Sequence, residues 1–205
     1  MDSAILITSF VTMFVVIDPI GLLPLFVALT QGQTQSARVK IAIRACGIAM
    51  LVFLAFALFG EALLNFVGIS MPAFRIAGGI LLFITALDML FERRTKRRED
   101  KTEEEEGDPS VFPLAIPLIS GPGGIASIIL LTGQNPGWDG MAAVLGVTAL
   151  ILVGTFVLFL AAGLLERAMG RTAILVVTRL LGMLLAALSV QFVLDGIAAY
   201  GFLPG

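Results

Sequence analysis

Long apolar stretches recur along the chain, separated by short polar segments. Taken at the bilayer-spanning length of roughly 20 residues, they predict six spans, at about 4–29, 40–66, 72–91, 111–133, 140–166 and 173–200. Two of the six are interrupted. Asp18-Pro19-Ile20-Gly21, followed by Pro24, breaks the first. Gly121-Pro122-Gly123-Gly124, preceded by Pro113 and Pro117, breaks the fourth. A helix in hydrocarbon keeps its backbone hydrogen bonds unless the freed groups are buried in protein or line a polar cavity. Paired breaks in the two halves of a chain point to a transporter binding site.

Composition fixes the class. Of the 205 residues, 58% are hydrophobic and 14% charged, and the mean hydropathy is +1.02. A soluble domain of this size cannot hide that much apolar surface, so the chain is expected to be an all-α integral membrane protein. The net charge of −2 carries little, because the charges are localised. A single cysteine, Cys46, excludes an intramolecular disulfide or a dithiol centre. The absence of histidine removes the commonest transition-metal ligand and the usual near-neutral proton switch. No metal or cofactor is therefore expected, nor an enzyme. The first apolar run lacks a basic leading segment and a small-residue cleavage site, so it reads as a span rather than a signal peptide.

The basic residues orient the spans. Arg38, Lys40 and Arg44 flank the first connection. Arg93, Arg94, Lys96, Arg97, Arg98 and Lys101 fill the third, and Arg167 and Arg171 lie in the fifth. The positive-inside rule places these three connections in the cytoplasm and both termini outside. Residues 93–110 form the one soluble stretch, a basic block followed by the acidic run Glu103 to Glu106. It reads as a solvated linker whose basic end suits anionic headgroups, and no nucleic-acid motif accompanies it. It separates a first three-helix unit, 1–92, from a second, 111–205.

The two units repeat. Pro19 and Pro122 lie 103 residues apart, Gly60 and Gly163 share that offset, and Arg75 to Gly78 returns as Arg179 to Gly182 at an offset of 104. A repeat of three spans reverses direction in the membrane, so the expected architecture is a 3+3 inverted repeat with both breaks near the middle.

The polar residues inside the spans each have a functional and a plain reading. Asp18 is costly in hydrocarbon unless paired, protonated or wet. It either caps the half-helix begun by Pro19 or contacts a substrate or ion, and the two are compatible. Ser120 is its counterpart before Gly121-Pro122 and would cap the second half-helix. Gly21, Gly121, Gly123 and Gly124 allow close backbone approach to a ligand or close helix packing. Ser127 lies near the second break, and Gln191 reads as a cavity-wall residue of span six. Thr12, Ser127, Thr132, Thr148 and Thr155 are expected to bond back to the preceding turn, with Ser127 also a candidate for the site. Trp138 and Tyr200 fall near span ends, as in an interfacial belt.

Four stretches carry a family resemblance. They are Asp18-Pro19-Ile20-Gly21-Leu22-Leu23-Pro24-Leu25-Phe26, the segment from Gly68 to Gly79, the segment from Pro113 to Ile125, and Arg179 to Gly182 leading to Gln191 through Gly196. In these the chain resembles the MarC family, also called the small neutral amino-acid transporter family. It departs at Leu22, where many members have Asn. The resemblance implies a six-span, multi-pass inner-membrane protein. For part of the family it implies transport of small neutral amino acids such as glycine and alanine.

The expected function is secondary transport of such a solute, held at the paired breaks by Asp18, Pro19, Gly21, Ser120, Gly121, Pro122, Gly123, Gly124, Ser127 and Gln191. Its carboxylate would meet half-helix N–H groups and its ammonium would meet exposed carbonyls, with Asp18 in reach. Protons fit better than sodium as a driving ion. The other partner is the lipid bilayer, and a homo-oligomer stays open. Two other classes compete: a non-transporting membrane scaffold or regulator using the charged linker, and an exporter of another small solute. A thiol-relay enzyme is opposed by the single cysteine. A metal exporter is opposed by the missing histidines and the lack of clustered intramembrane carboxylates.

Overall fold

The computed structural model describes residues 3–91 and 108–201. Most of the charged linker read at 93–110, through residue 107, lies outside the described residues. Among the described residues the chain forms helices and no strand. Eight elements follow one another: α1 Ser3–Ile17, α2 Leu23–Leu29, α3 Gln35–Val67, α4 Met71–Leu90, α5 Ser110–Ile119, α6 Pro122–Gln134, α7 Trp138–Leu160 and α8 Ala162–Tyr200. Four helical stretches, Gln35–Val67, Met71–Leu90, Trp138–Leu160 and Thr172–Tyr200, are long and apolar enough to cross a bilayer. The α5–α6 pair, bent by 55°, makes a fifth if counted as one span.

Local chemistry sets most boundaries. Thr34 caps α3 by accepting from the Ala37 N–H at 3.3 Å. Gly68 ends α3 in the left-handed conformation that glycine adopts freely (φ 81°). Ser70 caps α4 with Pro72 in its first turn. The first predicted span is two pieces, α1 and the seven-residue α2, because the chain turns at 18–22. Pro24, rather than Pro19, lies in the first turn of the second piece. The fifth span ends at Leu160, short of the expected 166. Residues from Ala162 open α8, which kinks at Gly170 (φ 69°). Gly60 and Gly163 are therefore not equivalent. Gly60 packs inside α3 against Ile129, while Gly163 lies in the first turn of α8 in open space.

Helix contacts follow small residues. α4 and α8 share the most extensive interface. A Cβ placed on Gly79 would stand 2.8 Å from Ser189 O. One on Gly196 would stand 3.0 Å from Pro72 O, and one on Gly182 3.0 Å from Met89 Cβ. This pairing of rising with falling numbers makes the two helices antiparallel. It brings their backbones together as small residues do in membranes. α3 packs on α5, α6 and α7, while α7 packs on α1 and α3. The Phe26 ring of α2 stacks on Phe159 of α7, with centroids 4.3 Å apart. Large apolar side chains such as Leu51, Phe59, Leu150 and Val153 point outward, which suits hydrocarbon surroundings. Trp138 and Tyr200 are exposed at helix ends.

Candidate functional site

The first break is organised by Asp18. Its N–H still donates to Phe14 O (3.0 Å), but its φ of +54° turns the chain out of α1. Among non-glycine residues, Asp and Asn tolerate this conformation best. The buried carboxylate then accepts the Gly21 N–H at Oδ1 (3.0 Å). Asp18 thus does not cap the half-helix expected to begin at Pro19; its carboxylate closes the turn at 18–22 instead. The N-cap of α2 is Leu22, which offers no side-chain bond. A Cβ on Gly21 would stand 2.0 Å from Asp18 Oδ2, so Gly21 is what lets the carboxylate fold back.

The second break is built differently. α5 is a wide coil whose hydrogen bonds reach back five residues, with Phe112 and Ile116 extended before Pro113 and Pro117. Ser120 closes it: both its N–H (2.9 Å) and its Oγ–H (2.7 Å) donate to Ala115 O. Ser120 therefore does not cap the following helix, contrary to expectation, because its hydroxyl is committed to the end of α5. Gly121 turns the corner, and any Cβ there would strike Pro117 O at 2.5 Å. α6 starts at Pro122 with no side-chain cap. Its first free N–H groups belong to Gly123 and Gly124, both buried, while Pro122 is exposed. The first N–H groups of a helix have no intrahelical partner and carry its partial positive charge.

The two breaks meet. A Cβ on Gly123 would lie 3.5 Å from Val16 Cγ1 at the end of α1, 3.4 Å from Leu82 and 3.5 Å from Thr85 Oγ1 of α4. These are ordinary contact distances, so Gly123 borders a close but not overfilled space. Gly124 faces Phe53 of α3, 3.0 Å away on the same construction. The uncapped start of α6 therefore sits inside the bundle, two residues in sequence from Asp18 through Val16.

Ser127 lies one turn further along α6, fully buried, its hydroxyl without a hydrogen-bond partner. Thr12 and Ser9 of α1 are in the same condition. Thr132, Thr148 and Thr155 do bond back to the carbonyl four residues earlier, each at 2.8 Å. Thr12 and Ser127 depart from that expectation, and Ser9 escaped sequence reasoning altogether. Its only sequence signal is a spacing of three from Thr12 and seven from Val16.

Gln191 is not brought to this group. It is exposed on α8, and its Nε2 donates to Asp195 Oδ1 at 2.7 Å. An open groove of about 470 Å³ between α1 and α7 is lined by apolar side chains such as Leu6, Phe10 and Leu150, so it suits hydrocarbon rather than a polar solute. Among the described residues, no three His, Cys, Asp or Glu side chains gather as metal ligands would.

Comparison with known proteins gives one consistent result. The family described as MarC family integral membrane protein matches residues 3–200. The UPF0056 membrane protein MJ1677 of Methanocaldococcus jannaschii is 35% identical over 96% of this chain and 98% of its own. The UPF0056 membrane protein YvbG of Bacillus subtilis is 34% identical over 92% of each chain. The UPF0056 membrane protein YhcE of Escherichia coli is 34% identical over 100% of this chain and 96% of its own. No solved structure matches the chain.

Proposed function

We propose that this chain, which belongs to the MarC family of integral membrane proteins, is a secondary transporter of small neutral amino acids. The observation that carries this reading is the uncapped N-terminus of α6, buried inside the bundle and packed through Gly123 on the end of α1. Buried N–H groups need partners, and a helix N-terminus favours an anionic group. A substrate carboxylate at Gly123 and Gly124 supplies both. Its ammonium finds acceptors at the first break, where the chain leaves regular helix at 18–22 and Asp18 is buried. A zwitterion needs few other charges, and the Val16, Leu82 and Thr85 side chains border the start of α6 at contact distance from a Cβ on Gly123. With no histidine in the chain to activate the nearby Thr85 and Ser127 hydroxyls, binding and release without conversion fits the site better.

The architecture that goes with this function is a six-span inverted repeat, α1–α4 against α5–α8, in an inner membrane with both termini outside the cytoplasm. The packing supports it. α3 lies on the broken pair of the second unit, α7 lies on the broken pair of the first, and α4 lies antiparallel on α8. Flexing at the two breaks would then expose the site to one side and the other in turn. Protons are the proposed driving ion.

Binding to purified protein tests the reading, with glycine, alanine, serine and metal ions in one panel. Saturable binding of the small neutral amino acids is expected. In Gly123→Ala that affinity falls while the melting temperature holds, because the new methyl meets its neighbours only at contact distance. Unaltered affinity in Gly123→Ala removes the second break from the site.

A further inference from the structure

Three buried hydroxyls between α1 and α6 lack partners: Ser9, Thr12 and Ser127, each 0% exposed. A buried polar group left without a hydrogen bond is unfavourable and calls for an explanation. Helical geometry places all three on one interface. At 100° per residue, Ser9, Thr12 and Val16 fall within about 60° of one another on α1. Val16 is the residue that touches Gly123. On α6, Ser127 lies one turn beyond Gly123, within about 40° of it. The flanking sides of α6 are taken by α3, through Phe53 at Gly124 and Gly60 at Ile129, and by α4, through Gly78 at Ala126 and Leu130.

The level along the helices agrees as well. α1 ends where α6 begins, yet the two lie side by side, so they run antiparallel away from the break. Thr12 is four residues back from Val16, and Ser127 is four residues on from Gly123. Both therefore stand about 6 Å from that junction, at 1.5 Å per residue. Ser9 is one turn further out.

We propose that Ser9, Thr12 and Ser127 line a water-accessible path between α1 and α6, through which a small polar solute moves between the paired breaks and the membrane surface at the far ends of α1 and α6. Hydroxyls both donate and accept, so they serve a zwitterion's two ends in turn without binding it as tightly as a charge would. With α1 and α6 packed against each other, as in this structure, the hydroxyls are shielded from bulk solvent. When the helices part, water or solute satisfies them. The identity of the solute rests on the transporter reading above, whereas the path itself does not.

The experiment uses full-length protein in liposomes with Cys46→Ala. Thr12→Cys and Ser127→Cys are treated with a small charged methanethiosulfonate, with Met13→Cys as control. Met13 is equally buried but belongs to the apolar core. The expected result is modification at positions 12 and 127 but not at 13, slowed by alanine. Modification that glycine and alanine do not slow keeps the path and overturns the amino-acid reading. No modification at 12 or 127, in protein that still transports alanine, overturns the path and leaves the amino-acid reading standing. Thr12→Val and Ser127→Ala cover the case in which the cysteine variants fail to fold. Removing an unpartnered hydroxyl should leave the melting temperature equal or higher. The rate of alanine exchange should fall about fivefold for each, as for the loss of one neutral hydrogen bond to the solute in passage. An unchanged exchange rate in both overturns the proposal.

Discussion

Asp18 combines two demands on one residue: a left-handed backbone and a carboxylate that accepts the Gly21 N–H. Asp18→Asn keeps both and should melt with the wild type. Asp18→Ala loses the acceptor, at a cost of about 1 kcal/mol, and adds backbone strain. It should still reach the membrane but transport poorly, and melting curves beside uptake rates check this. Gly21→Ala is not the simple counterpart of Gly123→Ala, because its methyl would strike the Asp18 carboxylate. It should lower both stability and transport. Asp108 offers a pH test outside the spans. Hydrogen bonds from the Ser110 Oγ–H and N–H, and then the Arg44 guanidinium, hold its carboxyl below the usual carboxylate range. A lowered folded value means that its support for the start of α5 is complete above its ordinary pKa near 3.8. That support is lost as pH falls through the lower, folded value. A carboxyl titration by NMR should show the depression shrink in Arg44→Gln and Ser110→Ala. At this scale Asp18 was legible as an acceptor for the N–H groups just after it, but not that it serves the turn at 18–22 instead of α2. Thr12 and Ser9 were not, because a hydroxyl in an apolar helix ordinarily bonds its own backbone and only tertiary register shows otherwise.

Among the elements, the breaks were the most legible feature, because Pro and Gly punctuate a helix regardless of context. Their internal construction was not. Ser120 looked like an N-cap until the wide coil of α5 claimed its hydroxyl through Ala115. The end of span five was overrun because residues 161–165 stay apolar enough to continue up to Glu166, and only the turn at Ala161 stops the helix. The α4–α8 interface depends on glycines that a sequence cannot tell from lipid-facing ones. Gly79→Leu should drive a side chain into Ser189 O and Val193. Overpacking of this kind costs about 1–3 kcal/mol, so the variant should show a lower melting temperature. Gly47→Leu, in open space on α3, should not.

At the scale of the molecule, membrane residence and family followed from hydropathy and four motifs. The landmarks read as a repeat do not fall in equivalent places: Pro122 starts α6 whereas Pro24 rather than Pro19 lies in the first turn of α2, and Gly60 and Gly163 occupy different surroundings. Sidedness rests on the arginines and lysines. With Cys46→Ala, Glu105→Cys should resist an impermeant thiol reagent in intact cells and react after permeabilisation. Labelling from outside would invert the topology.

The most direct measurement of the central claim is exchange of labelled alanine into alanine-loaded proteoliposomes, which proceeds without any driving ion. Wild-type protein should exchange alanine and glycine well above protein-free liposomes. Gly123→Ala should require a higher concentration for the same rate. Wild-type liposomes that exchange neither alanine, glycine nor serine above the protein-free level would contradict the transporter account.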